Sequence, residues 1–198
     1  MKIFHHFLNK EIFFKFVQSS ELTIFYISTL FFLIYGSIKS LFMSAIILLS
    51  SNQNYFTKHK IFSPIFKYFN DHVPILGRGT RPDGSSNCGF FDKCPAEIST
   101  SFGFPSGHSQ FSGLTYGFLI KDILHTKSKD GKFKSLKIED KISIIILLFM
   151  ILLMMYSRFN VQKCHTVEQT IFGAAIGLFL GYKSYNLYLY LDHKTRGF

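Results

Sequence analysis

Three groups of residues in this chain have the types, and the order, needed to hold and move an anionic group. The first is Arg81-Pro82, with Arg78 just before it and Lys58 and Lys60 upstream. The second is Pro105-Ser106-Gly107-His108, and the third is Ser157-Arg158 followed by His165, with Glu168 and Gln169 one helical turn beyond. A phosphoryl group spreads up to two negative charges over its oxygens, and its transfer depends on positioning and charge stabilisation. An arginine fork donates two hydrogen bonds to two such oxygens. Arg81 and Arg158, drawn from distant parts of the chain, would make a clamp of this kind. A helix starting at Pro105 would add free backbone N–H groups at Ser106 and Gly107, and a helix N-terminus favours an anion.

Two histidines then divide the work. His165 would attack phosphorus and form a covalent phosphohistidine, while His108 would protonate the leaving oxygen as general acid. One must be neutral and the other protonated, which two imidazoles near their ordinary pKa of about 6.5 can manage. Gln169 stands four residues after His165 on the same helix face, placed to hold one ring nitrogen and set the tautomer. Each group has a bland counterpart. Arg-Pro is a common loop dipeptide, Ser-Arg at the end of an apolar helix is often an interfacial anchor, and a lone histidine beside a membrane is usually structural. The weight lies in three groups occurring in order, each at a predicted helix end.

The elements that must carry these residues are membrane helices. Hydrophobic residues make up 47% of the 198, with 25 Phe and no Trp. They come in blocks: Leu22–Ser50 holds one charge, Lys39; Ile142–Tyr156 holds none; Ile171–Leu191 holds only Lys183. Such blocks approach the roughly 20 apolar residues that cross a bilayer. The pattern predicts an all-α, polytopic membrane bundle of a single domain, with about five transmembrane helices. These fall near Leu22–Ile38, broken at Gly36, then Ser40–Phe56, Pro105–Ile123, Lys141–Ser157 and Thr166–Leu191. Residues 1–20 read as an interfacial segment, residues 57–104 as a long polar active-site loop, and residues 126–140 as a basic connector. The formal charge of +10 sits mostly between the apolar blocks, which fits cytoplasmic loops and argues against a nucleic-acid partner. In the last helix Gly173, Gly177 and Gly181 recur every four residues, which invites close approach of a neighbouring helix.

On these motifs the chain resembles the type 2 phosphatidic acid phosphatase and vanadium haloperoxidase superfamily. Members share a Lys with Arg-Pro seven residues on, then Pro-Ser-Gly-His, then Ser-Arg with five residues before a His and an Asp four beyond it. The segments Phe102-Gly-Phe-Pro-Ser-Gly-His-Ser-Gln-Phe111 and His165-Thr-Val-Glu-Gln-Thr-Ile-Phe-Gly173 look most like the dolichyl-diphosphatase branch. The resemblance implies His165 as nucleophile, His108 as acid, and Arg81, Ser106, Gly107 and Arg158 around the phosphate. It also implies neither metal nor other cofactor, and a lipid phosphate or diphosphate as substrate.

The chain departs from the pattern in three places. Position 74, where the Lys belongs, is Pro74; Lys58 fills the role if residues 57–80 contain an insertion, or Arg78 reaches in, which is the favoured reading and adds Arg78 to the phosphate ligands. Six residues, not five, separate Arg158 from His165, so the connecting loop must bulge. Gln169 cannot supply the charge of an Asp, whereas Glu168 can if the helix phase differs. Cys88, Cys94 and Cys164 all fall on the predicted active-site face, and a disulfide among them needs an oxidising compartment. Residues 121–141 carry seven Lys against four acids, while 72–104 carry three basic and three acidic residues. That asymmetry points to an extracytoplasmic active site on a multi-pass protein of an endoplasmic-reticulum-like or other cell membrane. The competing readings are a lipid phosphotransferase, a haloperoxidase-like vanadate enzyme and a non-catalytic membrane scaffold of the same shape.

Overall fold

The computed structural model describes residues 10–85, 98–99, 101–126 and 135–195. Among them are six α-helices and one small hairpin: α1 (Lys10–Tyr35), α2 (Ile38–Phe56), α3 (Ser63–Tyr68), β1 (His72–Val73), β2 (Gly77–Arg78), α4 (Gly107–Thr126), α5 (Ile138–Tyr156) and α6 (Val167–Thr195). The strands pair antiparallel, His72 opposite Arg78 and Val73 opposite Gly77. Most of the basic connector, and both Cys88 and Cys94, lie outside the described residues.

Local chemistry sets the breaks. α1 ends where Gly36 adopts φ +64° and donates from its N–H to the carbonyl of Phe32, the left-handed cap that glycine adopts without a Cβ penalty. Ser37 then caps α2, its hydroxyl accepting from Ser40 N–H at 3.3 Å. Residues 10–20, part of the segment expected to lie at the interface, form the first turns of α1. Phe14 and Val17 are buried there, Phe14 against the ring of Tyr156, because their apolar side chains find a groove beside α5.

Among the described residues α4 and α6 share the most extensive contact, and the reason is the glycine ridge. A Cβ on Gly173 would stand 2.6 Å from the Ser106 carbonyl oxygen, and Cβ atoms on Gly177 and Gly181 would collide with the carbonyls of Gln110 and Leu114. On the facing side, Gly113 leaves room for the Ala174 carbonyl. Backbone thus packs on backbone, which brings the start of α4 against the start of α6. Met43, Ile46, Phe111, Phe118 and Tyr185 fill the core between α2, α4 and α6. At the end remote from the start of α4, Lys39 pairs with Asp122 at 2.8 Å, and Tyr185 donates to the same carboxylate.

One helix, Ile138–Val161, is long and apolar enough to cross a membrane by length and composition, among the described residues, and little of it is covered by protein. Of the five such helices expected, one meets that criterion among the described residues. Packing explains the difference. α4 faces its neighbours with buried Ser109, Gln110, Ser112 and Thr115, so its mean hydropathy is lowered by residues enclosed within the protein. Ser19–Tyr35 is apolar but shorter.

Candidate active site

Both α2 and α5 end in π-helical turns, at Thr57–Phe62 and Ser157–Val161, and each turn carries a cation. A π turn accommodates one extra residue within a helix. In the second, Gln162 N–H reaches back five residues to the Ser157 carbonyl. This turn, with Lys163 at φ +52°, absorbs the sixth residue between Arg158 and His165. It leaves Arg158 only 1% exposed.

Arg158 donates to Gln162 Oε1 from one terminal nitrogen and meets Nδ1 of His108 from the other at 2.7 Å. Arginine can only donate, so Nδ1 of His108 accepts and the ring carries its hydrogen on Nε2. Cys164 joins the two arginines through its backbone. Its N–H donates to the Arg158 carbonyl at 3.1 Å, and its own carbonyl accepts from Arg81 at 3.5 Å. Cys164 is disulfide-bonded. Arg81 also donates from Nε to Ser101 Oγ at 3.0 Å.

His165 is almost wholly buried, with Nδ1 at 2.9 Å from Gln169 Oε1. The orientation of that amide is set independently. Its Nε2 donates to the carbonyls of Arg78 at 3.0 Å and Thr80 at 2.7 Å. Oε1 must therefore accept, Nδ1 of His165 must donate, and the lone pair stands on Nε2. Gly103 makes this possible, since a Cβ there would sit 2.7 Å from Gln169 Oε1. Burial first, then the charges of Arg81, Lys58 and Arg158, hold the His165 imidazolium well below the usual histidine range. The ring is thus neutral at pH 7.

The same three cations act on one another. Burial, with the charges of Arg81 and Arg158, pulls the Lys58 ammonium down to about 7, and Nζ lies 3.3 Å from the Phe102 carbonyl. Arg78, expected as an alternative phosphate ligand, turns its guanidinium to Thr80 and to Asp83 at 3.0 Å. Glu168 is exposed and packs beside Gly77 of the hairpin, so the partner of His165 is Gln169. The Ser106 N–H, expected to be free for phosphate, donates to the Gln169 carbonyl at 2.9 Å. That leaves Gly107 at the start of α4, where an added Cβ would stand 2.9 Å from Asn54 Oδ1. Gln162 was not anticipated, although its place four residues after Arg158 marks it as a same-face partner. Among the described residues no group of three His, Cys, Asp or Glu side chains gathers to hold a metal ion.

Residues 65–192 match the PAP2 superfamily, a span that includes Arg81, His108, Arg158 and His165 but begins after Lys58. No curated protein and no solved structure matches the chain.

Proposed function

We propose that this chain, which belongs to the PAP2 superfamily, is a multi-pass membrane phosphatase that cleaves a lipid phosphate or polyprenyl diphosphate through a phosphohistidine on His165. Phosphatase-type chemistry is general in the superfamily; the lipid substrate and the residue roles are this proposal's own. The observation that carries it is the hydrogen-bond chain from the Arg78 and Thr80 carbonyls through Gln169 to Nδ1 of His165. That chain leaves Nε2 unprotonated, the form a nucleophile needs.

The reaction runs in two displacements. Lys58, Arg81 and Arg158 take the phosphoryl oxygens, with the backbone N–H of Gly107 at the helix start. Nε2 of His165 bonds to phosphorus as the P–O bond to the lipid breaks, and the electron pair leaves with the lipid oxygen. As Arg158 turns to the phosphoryl oxygens it releases Nδ1 of His108, which takes up a proton; the resulting imidazolium gives its Nε2 proton to the lipid oxygen, then regains one from water, whose oxygen attacks phosphorus and breaks the P–N bond. Phosphate leaves and both rings are restored. The residues give the reaction no step that requires a metal.

The apolar exterior supports membrane residence, and the disulfide at Cys164 supports an extracytoplasmic site, since disulfides persist in oxidising compartments. The dolichyl-diphosphatase likeness of residues 102–111 and 165–173 favours a polyprenyl diphosphate within the lipid class. The test is phosphate release from a panel of lipid monophosphates and diphosphates by the purified protein, in wild type and His165→Ala. No release by wild type from any lipid phosphate would refute this reading.

A further inference from the structure

The rod begun by α2 does not stop at its last apolar turn. It runs through the π-helical Thr57–Phe62 into α3, ending at Tyr68. The inner face of this extension buries Thr57 and Phe66, the latter against the rings of Phe102 and Phe104. The outer face exposes Ile61, Ile65 and Tyr68, with Lys60 and Lys67 exposed at its margins. An apolar stripe edged by lysines at the end of a membrane helix is the pattern of a segment at headgroup level, where lysine stems snorkel and tyrosine is enriched. The stripe continues the exposed apolar face of α2 at Phe56.

The hairpin adds a second apolar point. Its turn presents Ile75, 88% exposed, at φ +72°. A β-branched residue in the left-handed region is strained, and solvated turns place Gly or Asn there. Nothing within the described residues covers this side chain. The base of the same hairpin, by contrast, is fastened to the site: Thr80 N–H donates to the Asp71 carboxylate, and Gln169 holds the Arg78 and Thr80 carbonyls.

Resting on the membrane-phosphatase reading above, we infer that Tyr68 and Ile75 are seated in the lipid interface, making α3 and the hairpin turn the bilayer-facing lip of the active site. Lipid contact covers the apolar surface that the fold leaves bare, and lipid phosphates complement Lys60 and Lys67. The lip then lies where a substrate headgroup passes from the bilayer toward Lys58, which projects from the same rod.

The chain contains no tryptophan, so Tyr68→Trp and Ile75→Trp each install a single fluorescent reporter at an exposed position. With the full chain in phosphatidylcholine vesicles, brominated acyl chains should quench both emissions. The tryptophan of Asp83→Trp, replacing a side chain 92% exposed, should instead respond to aqueous acrylamide. Emission at either lip position that behaves like the Asp83→Trp control overturns the inference, whatever the enzymatic activity. In parallel, Tyr68→Asp and Ile75→Asp should raise KM for a vesicle-embedded lipid phosphate about tenfold, the scale of losing one buried apolar side chain. KM for a short-chain, monomeric phosphate ester should not change. Equal effects on the two substrates overturn the inference. No turnover of either by wild type refutes the phosphatase reading instead, and the fluorescence then decides the lip alone.

Discussion

Arg158 and His108, fifty positions apart in the chain, are joined by a 2.7 Å hydrogen bond from the guanidinium to Nδ1 of the ring. His165 holds Nδ1 the other way, donating to Gln169. The two histidines of the site are therefore in opposite tautomers, with His108 protonated on Nε2 and His165 on Nδ1. Nitrogen NMR of histidine-labelled protein at neutral pH, assigned with His108→Gln and His165→Gln, should find one signal pattern of each kind. Two identical tautomers, or an imidazolium at His165 in the empty site, would contradict the division of roles.

Gln169 should matter more than the acidic neighbour beside it. Removing its amide in Gln169→Ala frees the His165 ring and should lower kcat by about 10- to 100-fold, the range for lost orienting partners. Glu168→Gln, at an exposed position, should change kcat less than about twofold. Gln169→Glu is the sharper case. A carboxylate has no hydrogen to give the Arg78 and Thr80 carbonyls, so adding the charge should lower both activity and Tm. Improved turnover in Gln169→Glu would sink this account of the site.

The pH profile of kcat/KM reports groups of the free enzyme. Lys58 binds phosphate only as the ammonium, and its pKa is lowered to about 7. In the proposed role its contribution should therefore be full below pH 7 and fade as pH rises through that value. His165 must be neutral, and its imidazolium lies well below the usual range, so the acid limb falls below pH about 6.5. Lys58→Arg, charged at all accessible pH, should extend the alkaline limb upward, and comparison with wild type cancels any titration of the substrate. Lys58→Met should lower kcat/KM by about 100-fold, against less than about threefold for Arg78→Met. A reversed order would return the phosphate role to Arg78.

Gly177→Ala tests whether the glycine ridge sets the distance between α4, which carries His108, and the start of α6, which follows directly on His165. The new Cβ would collide with the Gln110 carbonyl, an overpacking cost of about 1–3 kcal/mol. It should push α4 off α6, reducing activity as well as Tm in detergent. Gly36→Ala makes the complementary comparison. No atom lies within 4 Å of its Cβ position, but φ is +64°, so the cost is about 1–2 kcal/mol of local strain with kcat unaffected. Full activity in Gly177→Ala would show that the ridge does not position the site.

The sequence by itself determined which residue types are available and on which helices they ride. Arg81, Pro105 to His108, Arg158 and His165 are legible because a clamp, a helix start and two imidazoles are local features with fixed chemistry. The ridge at Gly173, Gly177 and Gly181 is legible because its four-residue spacing is itself a packing instruction. The extra residue between Arg158 and His165 announced a bulge, and the π turn at Ser157–Val161 is where it went. Only the tertiary structure brings Lys58 near Arg81 and Arg158 and turns Arg78 to Thr80 and Asp83, because closure of the chain between Lys58 and Arg78 depends on a π turn, a short helix and a hairpin that no single motif encodes. It also chose Gln169 over Glu168, a choice of about 100° in helix phase that rests on where the Arg78 and Thr80 carbonyls lie. Ser106 shows the same limit: a backbone N–H that is free in an isolated helix start is taken by the Gln169 carbonyl once α4 and α6 dock. Apolar blocks likewise mark helices, but whether an apolar or a polar face turns outward is settled only when neighbours are in place, as the buried hydroxyls of α4 demonstrate.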